Sequence, residues 1–328
     1  MIARSSAAMR QPPGRETAVA IGVVVTFLWA TSVVLIRLGL TEEAVDPIGF
    51  AGVRFSLAAL ILVPLALPQL RAARVWRASH RPLLGVVIYG LLMFCVAQVG
   101  FYIALGGLTA SSVGLLMGLA PVVTALVTLR SQDERATSMQ ALGIVVLIVG
   151  VIAFFGLESP AGGASIAFAA GLSIPFVVGG SARLGRYLAL DAGRVFGGPL
   201  GLTALAMSAG GVATLALGLI VEGIPDFSLR AWLLIIWLAA VNTALTYTLW
   251  TQTQRTLRAV ESSVLGDLTV ILIAVLGWVV LDETLGLVEI AGLALALVGV
   301  ILVQVAPTVM ARRRPRQVGT DHDAHHPR

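Results

Sequence analysis

The chain has 328 residues, of which 58% are hydrophobic and 12% charged, with a mean hydropathy of +0.95. Soluble domains carry about 25% charged residues, so these side chains cannot cover a water-facing surface and a soluble globular domain is excluded. All 22 basic residues are arginine and the formal net charge is +5. Because the arginines lie in loops and tails without interleaved aromatics, the excess implies no nucleic-acid partner.

In chain order, residues 1–17 form a tail holding Arg4, Arg10 and Arg15. The apolar run that follows, from about residue 17 to residue 40, is too long for a cleaved signal peptide and predicts a retained membrane helix. Breaking the remaining apolar runs at charge, proline and glycine gives further spans. The complete set lies at about 18–38, 48–68, 84–105, 110–129, 139–156, 164–182, 195–221, 231–252, 259–281 and 286–306. Each is near the length that about 30 Å of hydrocarbon requires, and runs this continuous must be helices because lipid cannot satisfy an open backbone. The expected fold is therefore an all-α integral membrane protein with ten transmembrane helices.

Arginine placement predicts the orientation, since cytoplasmic loops retain the positive excess. Alternate connections and both tails hold 19 of the 22 arginines, and the intervening loops carry acids: Glu42, Glu43 and Asp46, then Glu158, then Glu222 and Asp226, then Asp282 and Glu283. Both termini are expected in the cytoplasm. The tail 307–328 carries an arginine cluster suited to anionic lipid, and its Asp321, His322, Asp323, His325 and His326 are not read as a metal site.

The chain repeats itself. A shift of 149 residues lays Asp133-Glu134 on Asp282-Glu283, Gly143 on Gly292 and Gly150 on Gly299. A weaker match at 145 residues joins Gly52 to Gly197. The organisation expected is a five-helix repeat over 18–156 and a second over 164–306. An odd number of helices inverts the second copy, and inverted repeats around a midplane site are the architecture of alternating-access carriers.

Several motifs then fall in order: Trp29-Ala30-Thr31-Ser32, Arg54-Phe55, Pro121 followed by Asp133-Glu134, Asn242-Thr243-Ala244-Leu245, Trp250 and Leu281-Asp282-Glu283-Thr284-Leu285. In these the chain resembles the EamA-type transporters of the drug/metabolite transporter superfamily, over about residues 20–305. It departs from them at Val270, where a proline is expected, and the nearby position that is often polar or acidic is Thr269. The resemblance implies an inner-membrane carrier, many of whose relatives export amino acids, other metabolites or toxic compounds.

An ionisable residue deep in a membrane is a functional candidate by default. Asp267 sits about 12 Å into the ninth span and suits either proton coupling, a counter-charge for a substrate amine, or structural satisfaction by bundle hydroxyls. Arg54, about 9 Å into the second span, is placed to bind a substrate carboxylate or phosphate, to latch a gate, to pair with Asp267 or to snorkel outward. Trp29, Gln98, Tyr102, Asn242 and Tyr247 lie at similar depths and complete a candidate cavity, with interhelical hydrogen bonding as the other use of the amides. Trp250 is read as part of an interfacial belt, and the two Asp-Glu pairs as caps on the fifth and tenth helices.

These features predict a secondary active carrier that exports a small metabolite, an amino acid or a drug-like solute, with proton coupling as one driving force. The alternative is a non-transporting sensor or scaffold of the same fold. No histidine lies in any span, Cys95 is the only cysteine, and there is no GxxxxGK[ST] loop, so neither an enzyme nor an ATP-driven pump is expected. No cofactor and no metal is implied. The expected partners are a small-molecule substrate, the bilayer and, as an open possibility, a second copy in a homodimer.

Overall fold

The computed structural model describes residues 14–120, 122–123, 138–156, 163–253, 256–257 and 259–313. Among the described residues every regular element is helical, as an apolar backbone in lipid requires. The first half holds α1 (Arg15–Thr41), α2 (Pro47–Ala72), α3 (His80–Gly107), α4 (Ala110–Met117) and α5 (Ser138–Phe155). The second holds α6 (Gly163–Val195), α7 (Pro199–Val221), α8 (Leu229–Thr253), α9 (Ala259–Val280) and α10 (Leu287–Arg313). Among the described residues seven of them, α1 to α3 and α5 to α8, contain a stretch long and apolar enough to cross a membrane, and α9 and α10 are apolar over Leu268–Val280 and Leu287–Val303. The fourth expected span is described at 110–120 and 122–123, so Pro121, Asp133 and Glu134 lie outside the described residues, as do Glu158 and the tail residues 321–326.

One boundary differs clearly from the sequence expectation. Helix α6 does not stop near residue 182 but runs to Val195, carrying Arg183, Arg186 and Arg194 on helix rather than in a loop. Its last turns persist because Leu188 and Ala192, spaced one helical turn apart, are buried in the core together with Phe196. The chain then reverses through Gly197 and Gly198, at φ of 73° and 142°, and Pro199 opens α7. Helix α9 passes unbroken through Val270, where a proline was expected.

Large apolar side chains cover the outside: Leu60, Ile220 and Trp278 are 70%, 82% and 65% exposed. Water would not tolerate so much of this surface, and lipid does. The protein is a multi-pass membrane protein.

The repeats meet through glycine. In the α5–α10 crossing, a Cβ on Gly143 would lie 2.9 Å from the Gly299 carbonyl, and one on Gly292 would lie 2.8 Å from the Gly150 carbonyl. Residue numbers rise along one helix as they fall along the other, so the repeat-related pair runs antiparallel. The α2–α7 crossing obeys the same rule, with Gly218 against Gly49 and Gly211 against Phe55. Backbones this close gain dispersion and weak C–H to carbonyl contacts that larger residues would prevent.

Polar links between the repeats gather at the end of the bundle that holds the acidic loops. The Glu222 carboxylate, just past α7, accepts the N–H groups of Ile48 and Gly49 at 3.0 and 2.6 Å. The Glu283 carboxylate accepts N–H from Ala110 at 2.5 Å and the Ser111 hydroxyl at 2.8 Å. Arg230 pairs with Glu42 and Glu43 at 2.9 and 3.2 Å. Glu283 therefore caps a helix, as expected of an acid placed before an apolar run, but the helix is α4 of the other repeat and not α10. The start of α10 is served instead by Glu289, which accepts Gly286 N–H at 2.6 Å.

Candidate functional site

Helices α3 and α8 each contain one π turn, at Leu92–Val96 and Ala240–Leu245. A π turn widens the backbone ladder and leaves carbonyls available to side chains. In α3, Gln98 Nε2 reaches the Met93 carbonyl at 3.5 Å. In α8, the Thr243 hydroxyl donates to the Leu238 carbonyl at 2.8 Å, which turns its lone pairs toward α2.

That hydroxyl receives Arg54. The guanidinium points into the bundle, 5% exposed. Its Nε donates to Thr243 Oγ1, Nη1 to the Tyr102 hydroxyl and Nη2 to Ser32 Oγ, each at 3.0 Å. Three helices, α8, α3 and α1, thus supply one oxygen apiece. A charge in an apolar core is tolerated only when it is hydrogen-bonded, and here neutral hydroxyls do that work. Thr243→Val, which keeps the shape and removes the oxygen, is expected to orphan Nε and cost about 2 kcal/mol, read as an earlier thermal transition of the detergent-solubilised protein.

Arg54 lines a cavity of about 450 Å³ walled by α1, α2, α3 and α4 of the first repeat and α6, α8 and α9 of the second. Of the residues singled out from the sequence, Trp29, Arg54, Gln98, Asn242 and Tyr247 reach its wall. Tyr102 does not line it; its ring is fully buried against Phe50, at 5.3 Å between centroids, and its hydroxyl holds Arg54 from behind. Asp267 lies on α9 between the lining residues Gly266 and Thr269, and its side chain is outside the described part of the structure.

Aromatic rings form one side of the cavity. Trp29 meets Tyr247 edge-on at 6.0 Å and Trp250 at 5.1 Å, while Phe94 contacts Tyr247 at 5.8 Å. Trp250, read from the sequence as part of an interfacial belt, also packs on the cavity tryptophan.

Asn242 bridges α8 to α1: its Nδ2 donates to the Leu28 carbonyl at 2.6 Å and to Thr31 Oγ1 at 3.1 Å. Its Oδ1 is buried without a partner, as is Thr269 Oγ1. Both residues belong to the cavity wall. Both atoms are covered by protein, so they are polar groups that the packing behind the cavity wall leaves unsatisfied. Ser32, Thr243 and Thr269 enter the sequence analysis as motif positions and not as cavity candidates, because hydroxyls are scattered through every span and nothing local marks those that reach the cavity. Among the described residues no group of three or more His, Cys, Asp or Glu gathers as a metal site.

A solved crystal structure shares this architecture, with a TM-score of 0.60 over 92% of this chain and 99% of that chain at 18% identity. No curated protein sequence matches the chain. The EamA-like transporter family profile matches it twice, at residues 17–156 and 166–305, so that both antiparallel halves are copies of the same family unit. The chain belongs to the EamA-like transporter family.

Proposed function

We propose that the protein is a secondary active carrier that exports a small metabolite by alternating access. Its ten membrane helices form two inverted five-helix repeats, in a bacterial-type inner membrane with both termini cytoplasmic. The observation that carries the reading is the cavity of about 450 Å³ at the seam of two antiparallel repeats, walled by helices of both. Rocking one repeat against the other opens such a seam to each side in turn. The glycine crossings keep the contact surfaces smooth enough to slide, and the arginine distribution supports an orientation with the acidic-loop end outward. The Glu222, Glu283 and Arg230 links then close the outer end, which gives the state that loads substrate from the cytoplasm.

Proton coupling through Asp267 belongs to this reading, since a carboxylate near the midplane is costly to keep charged and exchanges its proton as access alternates. The test is flux in proteoliposomes with and without a pH gradient. The expected result is gradient-driven transport that Asp267→Asn reduces at least about tenfold without loss of folded protein, the scale of about 1.4 kcal/mol in a rate or equilibrium. Equal flux in wild type and mutant would remove Asp267 from the mechanism. Absence of flux for every solute tried would favour a non-transporting sensor.

A further inference from the structure

We propose that the cavity selects a monocarboxylate anion with an apolar or aromatic body, the carboxylate resting on Arg54. The inference rests on the carrier reading and names its substrate class. Among the described residues of the cavity wall, Arg54 is the one charged side chain.

A guanidinium has five N–H donors. The protein uses three of them, on Thr243, Tyr102 and Ser32. One N–H remains on each terminal nitrogen, the number that a two-oxygen carboxylate needs. The three anchors come from three helices, so the charge is held in place before ligand arrives and little side-chain entropy is lost on binding. A carboxylate also balances the charge of Arg54. A phosphate, at about −1.5 to −2, would leave surplus negative charge in an apolar enclosure. An amine would meet a cation already there.

The rest of the wall fits the remainder of such a ligand. Trp29, Phe55, Met93, Phe101, Tyr247 and Ile273 present aromatic and aliphatic surface. Among the described residues no acid on this wall demands an ammonium group on the ligand. That separates the proposed class from obligate amino acids.

The experiment measures binding to the purified full-length protein in detergent by calorimetry. Matched probes share a body and differ in head group: 3-phenylpropionate, 3-phenylpropanamide and 3-phenylpropylamine, then the indole and isobutyl counterparts, with phenylalanine alongside. The acids are expected to bind at least tenfold more tightly than their amides and amines, and Arg54→Gln to remove that preference. Should Arg54→Gln not fold, Ser32→Ala, which drops one anchor, is expected to weaken the acids several-fold and leave the amides unchanged. Equal binding of acid and amine, binding of phenylalanine alone, an unaltered preference in Arg54→Gln, or no binding by any acid overturns the inference. Proteoliposome flux is measured on the same preparation. Flux of other solutes with no acid binding sinks the anion assignment alone, whereas acid binding with no flux of any probe sinks the carrier reading and leaves the site.

Discussion

Replacing Glu283 with alanine is expected to destabilise the protein by about 3 kcal/mol, more than any other single loss of a surface-loop acid. The carboxylate is the acceptor for the N–H groups of Ala110 and Ser111 and for the Ser111 hydroxyl, at 2.5, 3.2 and 2.8 Å. Those N–H groups open α4, where an α-helix has no internal acceptors, and the positive end of its dipole adds to the attraction. Removing the acid orphans three donors at once in a half-buried position, and each costs roughly 1–3 kcal/mol unless water replaces it. Glu289→Ala provides the contrast. Glu289 serves Gly286 N–H at an exposed site, so its loss is expected to cost about 1 kcal/mol or less. Thermal unfolding of both variants in one detergent checks the ranking. Equal effects would mean that the acid of the Leu281-Asp282-Glu283 motif is not a tie between the repeats.

The second large effect is expected at the α5–α10 crossing. A Cβ on Gly292 would lie 2.6 Å from the Phe154 backbone nitrogen and 2.8 Å from the Gly150 carbonyl. Neither neighbour is the mobile end of a side chain, so the helices must separate. Gly292→Ala is expected to cost about 2 kcal/mol through overpacking, and Gly292→Leu to leave no monodisperse folded protein. Gly180, in α6, has nothing within 4 Å of the corresponding point. Gly180→Ala should therefore be neutral or stabilise by about 0.5–1 kcal/mol from helix propensity alone. Size-exclusion profiles of fluorescent fusions separate these outcomes, and a folded Gly292→Leu would refute the close crossing.

Much of the architecture is readable from the amino acids because lipid enforces it. A run such as residues 48–68 has no alternative to a helix, and α2 occupies Pro47–Ala72. The repeat shows in Gly143 and Gly292, since close crossings admit nothing larger. The cavity residues were harder. Depth along a span is counted from sequence, and it placed Trp29, Arg54, Gln98, Asn242 and Tyr247 at one level. Facing is not, because a helix in lipid and among other helices has little amphipathic signal, and so Tyr102 was grouped with the lining although it stands behind Arg54. The partners of Glu222 and Glu283 were invisible for another reason. They lie more than 170 residues away along the chain, and an acid before an apolar run looks the same whether it caps its own helix or another. The extension of α6 past residue 182 was missed because its arginines mask the Leu188, Ala192 spacing that buries the last turns.

The π turns of α3 and α8 begin at residues 92 and 240, hence 148 residues apart. A π turn is the trace of a single inserted residue, which a helix does not acquire cheaply. Two insertions at matched places in two copies are explained by one insertion before the copies existed. The five-helix ancestor then already carried the widened turn that aims side chains into the cavity. A single five-helix copy would leave the glycine faces of its α2 and α5 without the partners they have here. The two halves now differ in charge, with Arg54 in one and Asp267 in the other.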